Sequence, residues 1–170
     1  CGHGFGKLGD EYIYHNAFID ACTCACCGHV GEFNAAKSKG WFANLSLSGK
    51  PEEVPWSHLI YHEKYRSFVD VYEGGFMHSR GVWRSEYNSC MNNDIPYFST
   101  ISREEIVRRI MEYSGETFSF EDFVAKDNLE NVTQSKSLGK KKSRSGASEK
   151  ANTRGLHNNP IFCGKRPEVR

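Results

Sequence analysis

No apolar run in this 170-residue chain approaches the ~18–20 residues that a membrane-spanning helix needs, which excludes an integral helical membrane protein. Charge of one sign is also lacking: the formal net charge is +1, which argues against a general polyanion binder. The start has no basic n-region and no apolar h-region, and residue 1 is Cys rather than Met, so no signal peptide is visible. The expectation is a fragment of a longer protein, or a chain from which an upstream segment was removed. Aromatics are scarce in one region. Residues 127–170 contain a single one, Phe162, while holding 10 Lys/Arg against 4 Asp/Glu. Such a segment buries too little apolar surface to offset its ordering entropy. A disordered basic tail is therefore expected over 127–170, with the folded body ending near residue 126. The run Lys140 to Arg144 comes without base-stacking aromatics. It reads as solvated charge, and nucleic acid is not an expected partner.

What is present suits one globular domain: 38% apolar, 13% aromatic and 25% charged residues. Residues 1–126 are acidic, with 12 Lys/Arg against 17 Asp/Glu. The seven cysteines are an odd number, so at least one is free, metal-bound or paired outside the chain. Four of them stand together as Cys22, Cys24, Cys26 and Cys27, followed by His29. Structural zinc sites favour two pairs separated by a long loop, and this cluster has no distant second pair. Free thiols or disulfides in a loop are the default, and a metal-binding or interaction module built on the cluster is the alternative.

Local patterns predict a modest amount of regular structure. Residues 31–58 read as loop, punctuated by Gly31, Gly40, Gly49, Pro51 and Pro55. Residues 59–73 are aromatic and β-branched and predict a strand or short helix, broken at Gly74-Gly75. Residues 80–91 are partly extended, and Asn92-Asn93-Asp94 with Pro96 is turn chemistry. A helix is predicted from Ser102 to Ser114. Ser102 and Glu105 form a capping box, Ile106, Val107, Ile110 and Met111 form an apolar stripe, and Gly115 is the stop. A shorter helix is predicted from Ser119, with Phe120, Phe123 and Val124 facing inward.

The chemistry concentrates in the first twelve residues. Cys1-Gly2-His3-Gly4-Phe5-Gly6-Lys7-Leu8-Gly9-Asp10-Glu11-Tyr12 reads as the last turns of a helix followed by a tight turn, with Gly6 and Gly9 available for positive φ. A catalytic zinc helix presents two His at i and i+4 with a Glu beside the first. In metzincins a Gly three residues after the second His breaks that helix. His3 and Gly6 fit the second His and this Gly.

The same segment resembles the zinc site of the IgA-peptidase family of metzincin-like metallopeptidases, His-Glu-x-Gly-His-x-x-Gly-x-Leu-x-Asp-Glu-Tyr. Gly2, His3, Gly6, Leu8, Asp10, Glu11 and Tyr12 match it, and Phe5 matches loosely. The stretch from Arg80 through Trp83 and Arg84 to Cys90-Met91 resembles the family's approach to its Met-containing turn. The resemblance covers about residues 1–126. It implies an α+β fold, the C-terminal part of a metzincin-like catalytic domain: loops and helices beneath a zinc cleft, with the sheet upstream and exposed apolar surface where that half is missing. It implies Zn2+ as cofactor, a polypeptide as substrate, and a secreted or lipid-anchored cell-surface protein of the kind found in gut Bacteroides-type bacteria. The first zinc His and the general-base Glu would lie before Cys1, so the chain alone is expected to be inactive.

Most metzincins take the third ligand from a His three residues after the Gly. Here that position is Gly9, which has no side chain. Asp10 is then the expected ligand beside His3, and Glu11 is the alternative. Met91 would pack beneath the metal without ligating it. His58, His62 and His78 are the places to look should neither carboxylate serve. His58 and His62 are spaced i, i+4, but Leu59 stands where a zinc helix needs Glu, so a surface or part-buried role is the default. His78 and Arg84, near the Met turn, are candidates to face the substrate cleft.

Overall fold

A computed structural model describes residues 1–21 and 28–129. They form a mixed α+β structure with nine elements. In chain order these are β1 (Ile13–Phe18), α1 (Val30–Lys37), β2 (Leu45–Ser46), α2 (Ser57–Ile60), β3 (Tyr72–Gly75), β4 (Met77–Arg84), α3 (Cys90–Asn93), α4 (Thr100–Ser114) and α5 (Phe120–Lys126). The cluster Cys22 to Cys27 and the basic segment from residue 130 onward lie outside the described residues.

The sheet is built around β4. β1 pairs with it in parallel, and β2 and β3 pair with it antiparallel. The sequence reading put the sheet upstream of the chain, yet four strands lie within it. In β4, His78, Val82 and Arg84 face inward with the period of a strand, while Arg80 between them is exposed and Gly81 takes φ +80°. The Gly74-Gly75 pair, expected to break the structure, belongs to β3 and its turn. Gly74 has φ +109°, and a Cβ there would lie 2.5 Å from the Ile13 side chain. The turn continues through Phe76 and Met77 at φ +45° and +69°.

Two apolar clusters hold the body. One gathers Trp56, Leu59, Tyr65, Val69, Ile101 and Phe123 with their neighbours. The other joins Ile19, Phe33, Leu45, Phe76 and Val82, so α1 packs on the sheet through Phe33. The sequence reading left α1 as loop because it carries one buried apolar residue and no stripe.

The main helix, α4, starts two residues earlier than expected, with Ser99 as N-cap and Gly115 as a left-handed C-cap at φ +75°. Ser102 lies inside the helix, its hydroxyl 2.8 Å from that of Ser99. Glu105 pairs with Arg109 rather than closing a capping box. The expected stripe is only partly inward. Ile106 lies against Gly6 and Val107 against the first cluster, while Ile110 is 51% exposed. Helix α5 begins after Ser119, whose hydroxyl accepts the Asp122 amide, and Phe123 is buried.

Packing continues beyond residue 126. The Asp127 carboxylate is gripped by Arg103 at 2.7 and 2.8 Å, its carbonyl accepts the Lys64 ammonium at 2.7 Å, and Leu129 packs on the first cluster. The first three residues assigned to the tail are thus tied to the body.

Candidate metal centre

Residues 1–8 wrap into successive turns. The Phe5 and Gly6 amides both donate to the Cys1 carbonyl at 3.1 Å, and the Leu8 amide donates to Gly2 at 3.1 Å. The positive φ expected at Gly6 or Gly9 falls on Lys7, at +52°. The two glycines serve space instead. A Cβ on Gly6 would come 2.9 Å from the Gly2 carbonyl, and one on Gly9 would come 2.5 Å from the Leu45 side chain. Gly9 is also locked by Asn44, whose side chain accepts its amide and donates to its carbonyl, both at 2.8 Å.

From Gly9 the chain runs along the start of β4. The Phe76 amide donates to the Asp10 carbonyl at 2.8 Å and the Met77 amide to Tyr12 at 3.0 Å. This pairing turns Asp10 back toward His3. His3 Nε2 and Asp10 Oδ1 are 2.6 Å apart, and the Tyr12 hydroxyl donates to Asp10 Oδ2 at 2.9 Å. The His3 side chain is 64% exposed and that of Asp10 20%. The hydrogen bond to Asp10 raises the His3 pKa above its ordinary value, against the opposing effect of partial burial.

The structure therefore brings together the two side chains that the sequence nominated as ligands. Their atoms suit a tetrahedral zinc ion. Bonds of about 2.0–2.2 Å at the tetrahedral angle separate N and O by roughly 3.4 Å, so the pair need open by less than ~1 Å.

Glu11 points the other way. It is fully buried; Asn44 donates to its Oε1 at 2.8 Å and the Ser89 hydroxyl donates to its Oε2. Burial raises its pKa. The alternative ligand is thus a buried bracket, because alternation along an extended segment sends neighbouring side chains to opposite faces.

Met91 packs against Gly2, the residue before His3. A Cβ on Gly2 would meet its sulfur at 2.5 Å, and Met91 is 7% exposed. Ser89 caps α3, accepting the Met91 amide at 3.2 Å, while the Met91 carbonyl accepts the Glu11 amide at 2.9 Å.

The other nominated residues are elsewhere. His58 is hydrogen-bonded to Glu104 at 2.8 Å, and His62 stacks edge-on against Phe120. Neither His78 nor Arg84 faces a cleft. His78 is fully buried, and Arg84 donates to the carbonyls of Glu73 and Gly74 at 2.9 and 2.7 Å. His29 heads α1, where the Glu32 carboxylate accepts its amide at 3.2 Å. Sequence reasoning missed Asn44 and Ser89. Asn44 lies in no motif, Ser89 lies in the Arg80–Met91 stretch without having been singled out, and only the fold brings them to Glu11.

Among the described residues no group of three or more His, Cys, Asp or Glu side chains is arranged to hold a metal. No helix among them is long and apolar enough to cross a membrane. No protein-family model matches the chain, and no curated protein matches it.

Proposed function

We propose that the chain is the C-terminal part of the catalytic domain of a secreted, metzincin-like zinc metallopeptidase, acting on polypeptides. The observation that carries this reading is the meeting of His3 and Asp10, with Met91 packed under the adjoining Gly2. In this reading His3 Nε2 and an Asp10 carboxylate oxygen hold the metal, and the remaining His and the general-base Glu precede Cys1. When bound, zinc supplies Lewis acidity, which activates water near neutral pH and polarises a peptide carbonyl.

The chain's own residues prepare that site. Tyr12 donates to the second Asp10 oxygen and fixes the carboxylate's orientation, the task of an outer-shell partner. Met91 gives the His3 turn an apolar floor. Asn44 and Ser89 hold Glu11, and Glu11 carries Asp10 on the same backbone. The exposed side of His3 leaves one approach open.

The test is zinc binding by calorimetry on the chain extended upstream by His-Glu, followed by chelator-sensitive peptide cleavage. His3→Ala and Asp10→Ala should each abolish cleavage and remove one zinc equivalent from the titration, while Glu11→Gln keeps both. Without the general base the unextended chain should not cleave, since acid–base help is worth about 10²–10⁴-fold. Chelator-sensitive cleavage retained by both His3→Ala and Asp10→Ala overturns the reading.

A further inference from the structure

The parallel register of β1 and β4 sets His15 opposite His78. Their ring centroids are 6.1 Å apart. Two imidazoles on one tetrahedral ion have centroids roughly 5 Å apart, so a small movement would bring this pair onto a shared ion.

His78 carries the stronger observation. It is 0% exposed, and its Nδ1 lies 2.5 Å from the Phe76 carbonyl oxygen. A carbonyl only accepts, so Nδ1 bears the proton and Nε2 is left with a lone pair. That Nε2 is buried and has no hydrogen-bond partner among the described residues. A buried polar atom left unpaired is costly and uncommon in native proteins. A metal ion would satisfy it. Ligating histidines commonly donate their other ring N–H to a backbone carbonyl, as His78 does to Phe76.

The surroundings agree. Burial holds the His78 pKa below its ordinary value, with the charges of His15 and His29 acting in the same direction. Gly28 packs directly on the Phe76 ring, which sets the head of α1, with His29, beside this place.

We propose that His78 Nε2 and the His15 ring are two ligands of a second metal site, for a borderline divalent ion such as Zn2+, between β1 and β4. The site shares no residue with the His3–Asp10 pair and stands independently of it. Its imidazole ligands suit zinc, nickel or copper rather than calcium or magnesium.

Zinc titration of the 15N-labelled full chain, read from long-range 1H–15N spectra of the imidazoles, reports His3, His15 and His78 separately. Zinc alone should shift His78 Nε2 and one nitrogen of His15, and should do so equally in Asp10→Ala, where the other site is lost. A response confined to His3, or none at any imidazole, overturns the second site. His15 lies only partly inside, so His15→Gln should fold even if His78→Gln does not. Changes outside the ligand shell already cost ~10–100-fold in metal affinity, so His15→Gln should weaken the zinc response at His78 at least about tenfold. An unchanged response at His78 in His15→Gln also overturns the pair.

Discussion

Glu11 and Ser89 are 78 residues apart in sequence and joined by a hydrogen bond in the buried interior. The bond ties the segment that carries Asp10 to the turn that carries Met91. A backbone bond from the Glu11 amide to the Met91 carbonyl runs beside it. Removing the carboxyl should therefore loosen both halves of the candidate centre. Glu11→Ala should cost about 1–3 kcal/mol, because it leaves the buried Ser89 O–H without an acceptor. Glu11→Gln should cost less, since its amide nitrogen can donate to Ser89 and its oxygen accept from Asn44. Urea unfolding of the two variants checks this ordering.

In the proposed reading, Gly9 occupies the position where a metzincin would offer its third His. Restoring that residue should fail. A Cβ there would overlap the side chain of Leu45, with Phe42 3.0 Å away. Asn44 holds the backbone on both sides, so the segment has little room to retreat. Gly9→His should destabilise by at least ~1–3 kcal/mol, the usual cost of overpacking, and should not raise zinc affinity. A stable Gly9→His variant that binds zinc more tightly would reverse the assignment to Asp10.

Glu86 predicts a pH dependence of stability. It sits at the head of α4, accepting from the Thr100 amide at 2.6 Å, the Thr100 hydroxyl at 2.9 Å and the Tyr97 hydroxyl at 2.7 Å. Burial nevertheless outweighs these donors and the nearby Arg103 charge, and pushes its pKa up to about 7. The native state then binds a proton more tightly than the unfolded chain. Stability from this group is full below the unfolded value near 4.5 and falls as pH rises toward 7. The loss is of order 3 kcal/mol at most. Glu86→Gln should flatten this slope between pH 4.5 and 7, measured by denaturant midpoints. An unchanged slope would mean that Glu86 is ionised across the range.

The Arg103–Asp127 pair predicts where the body can be cut. Their side chains are 19% and 4% exposed, so the pair is largely desolvated. A chain ending at residue 126 leaves the guanidinium without its carboxylate and should lose about 3 kcal/mol relative to one ending at 129. Thermal melts of the two truncations decide it.

The candidate centre was legible because its residues are local. His3, Gly6, Asp10 and Tyr12 lie within ten residues, although it is the pairing with Phe76 and Met77 that returns Asp10 to His3. Met91 needed the second motif near Arg80 to be nominated. Asn44 and Ser89 were not legible. A lone Asn in a loop and a Ser before a short helix have many uses, and only long-range packing selects this one. In the fold, Gly115 and Ser119 marked helix boundaries because capping is local chemistry. The head of α4 was misplaced because Ser99 and Ser102 are equivalent in sequence, and the buried Glu86 that receives the Thr100 amide chooses between them. The sheet was missed because β4 mixes His, Arg and Gly into its buried alternation, which hides the period of two.

His3 and Asp10 also predict how proton and metal compete. His3 must be neutral to ligate, and the Asp10 carboxylate holds its pKa above the usual value. Zinc affinity should therefore fall as pH drops through that raised pKa and reach a plateau above it. Asp10→Asn replaces the charged hydrogen-bond acceptor that raises His3, so the pH midpoint should move down toward 6.5. If the carboxylate is itself a ligand, the plateau at high pH should drop as well, because a carboxamide is a weak zinc ligand. The two effects separate the roles. A lower midpoint with an undiminished plateau would make Asp10 a hydrogen-bond partner of His3 alone. A lower midpoint with a lower plateau is the outcome expected here, and zinc titrations of both chains from pH 5 to 8 distinguish the two.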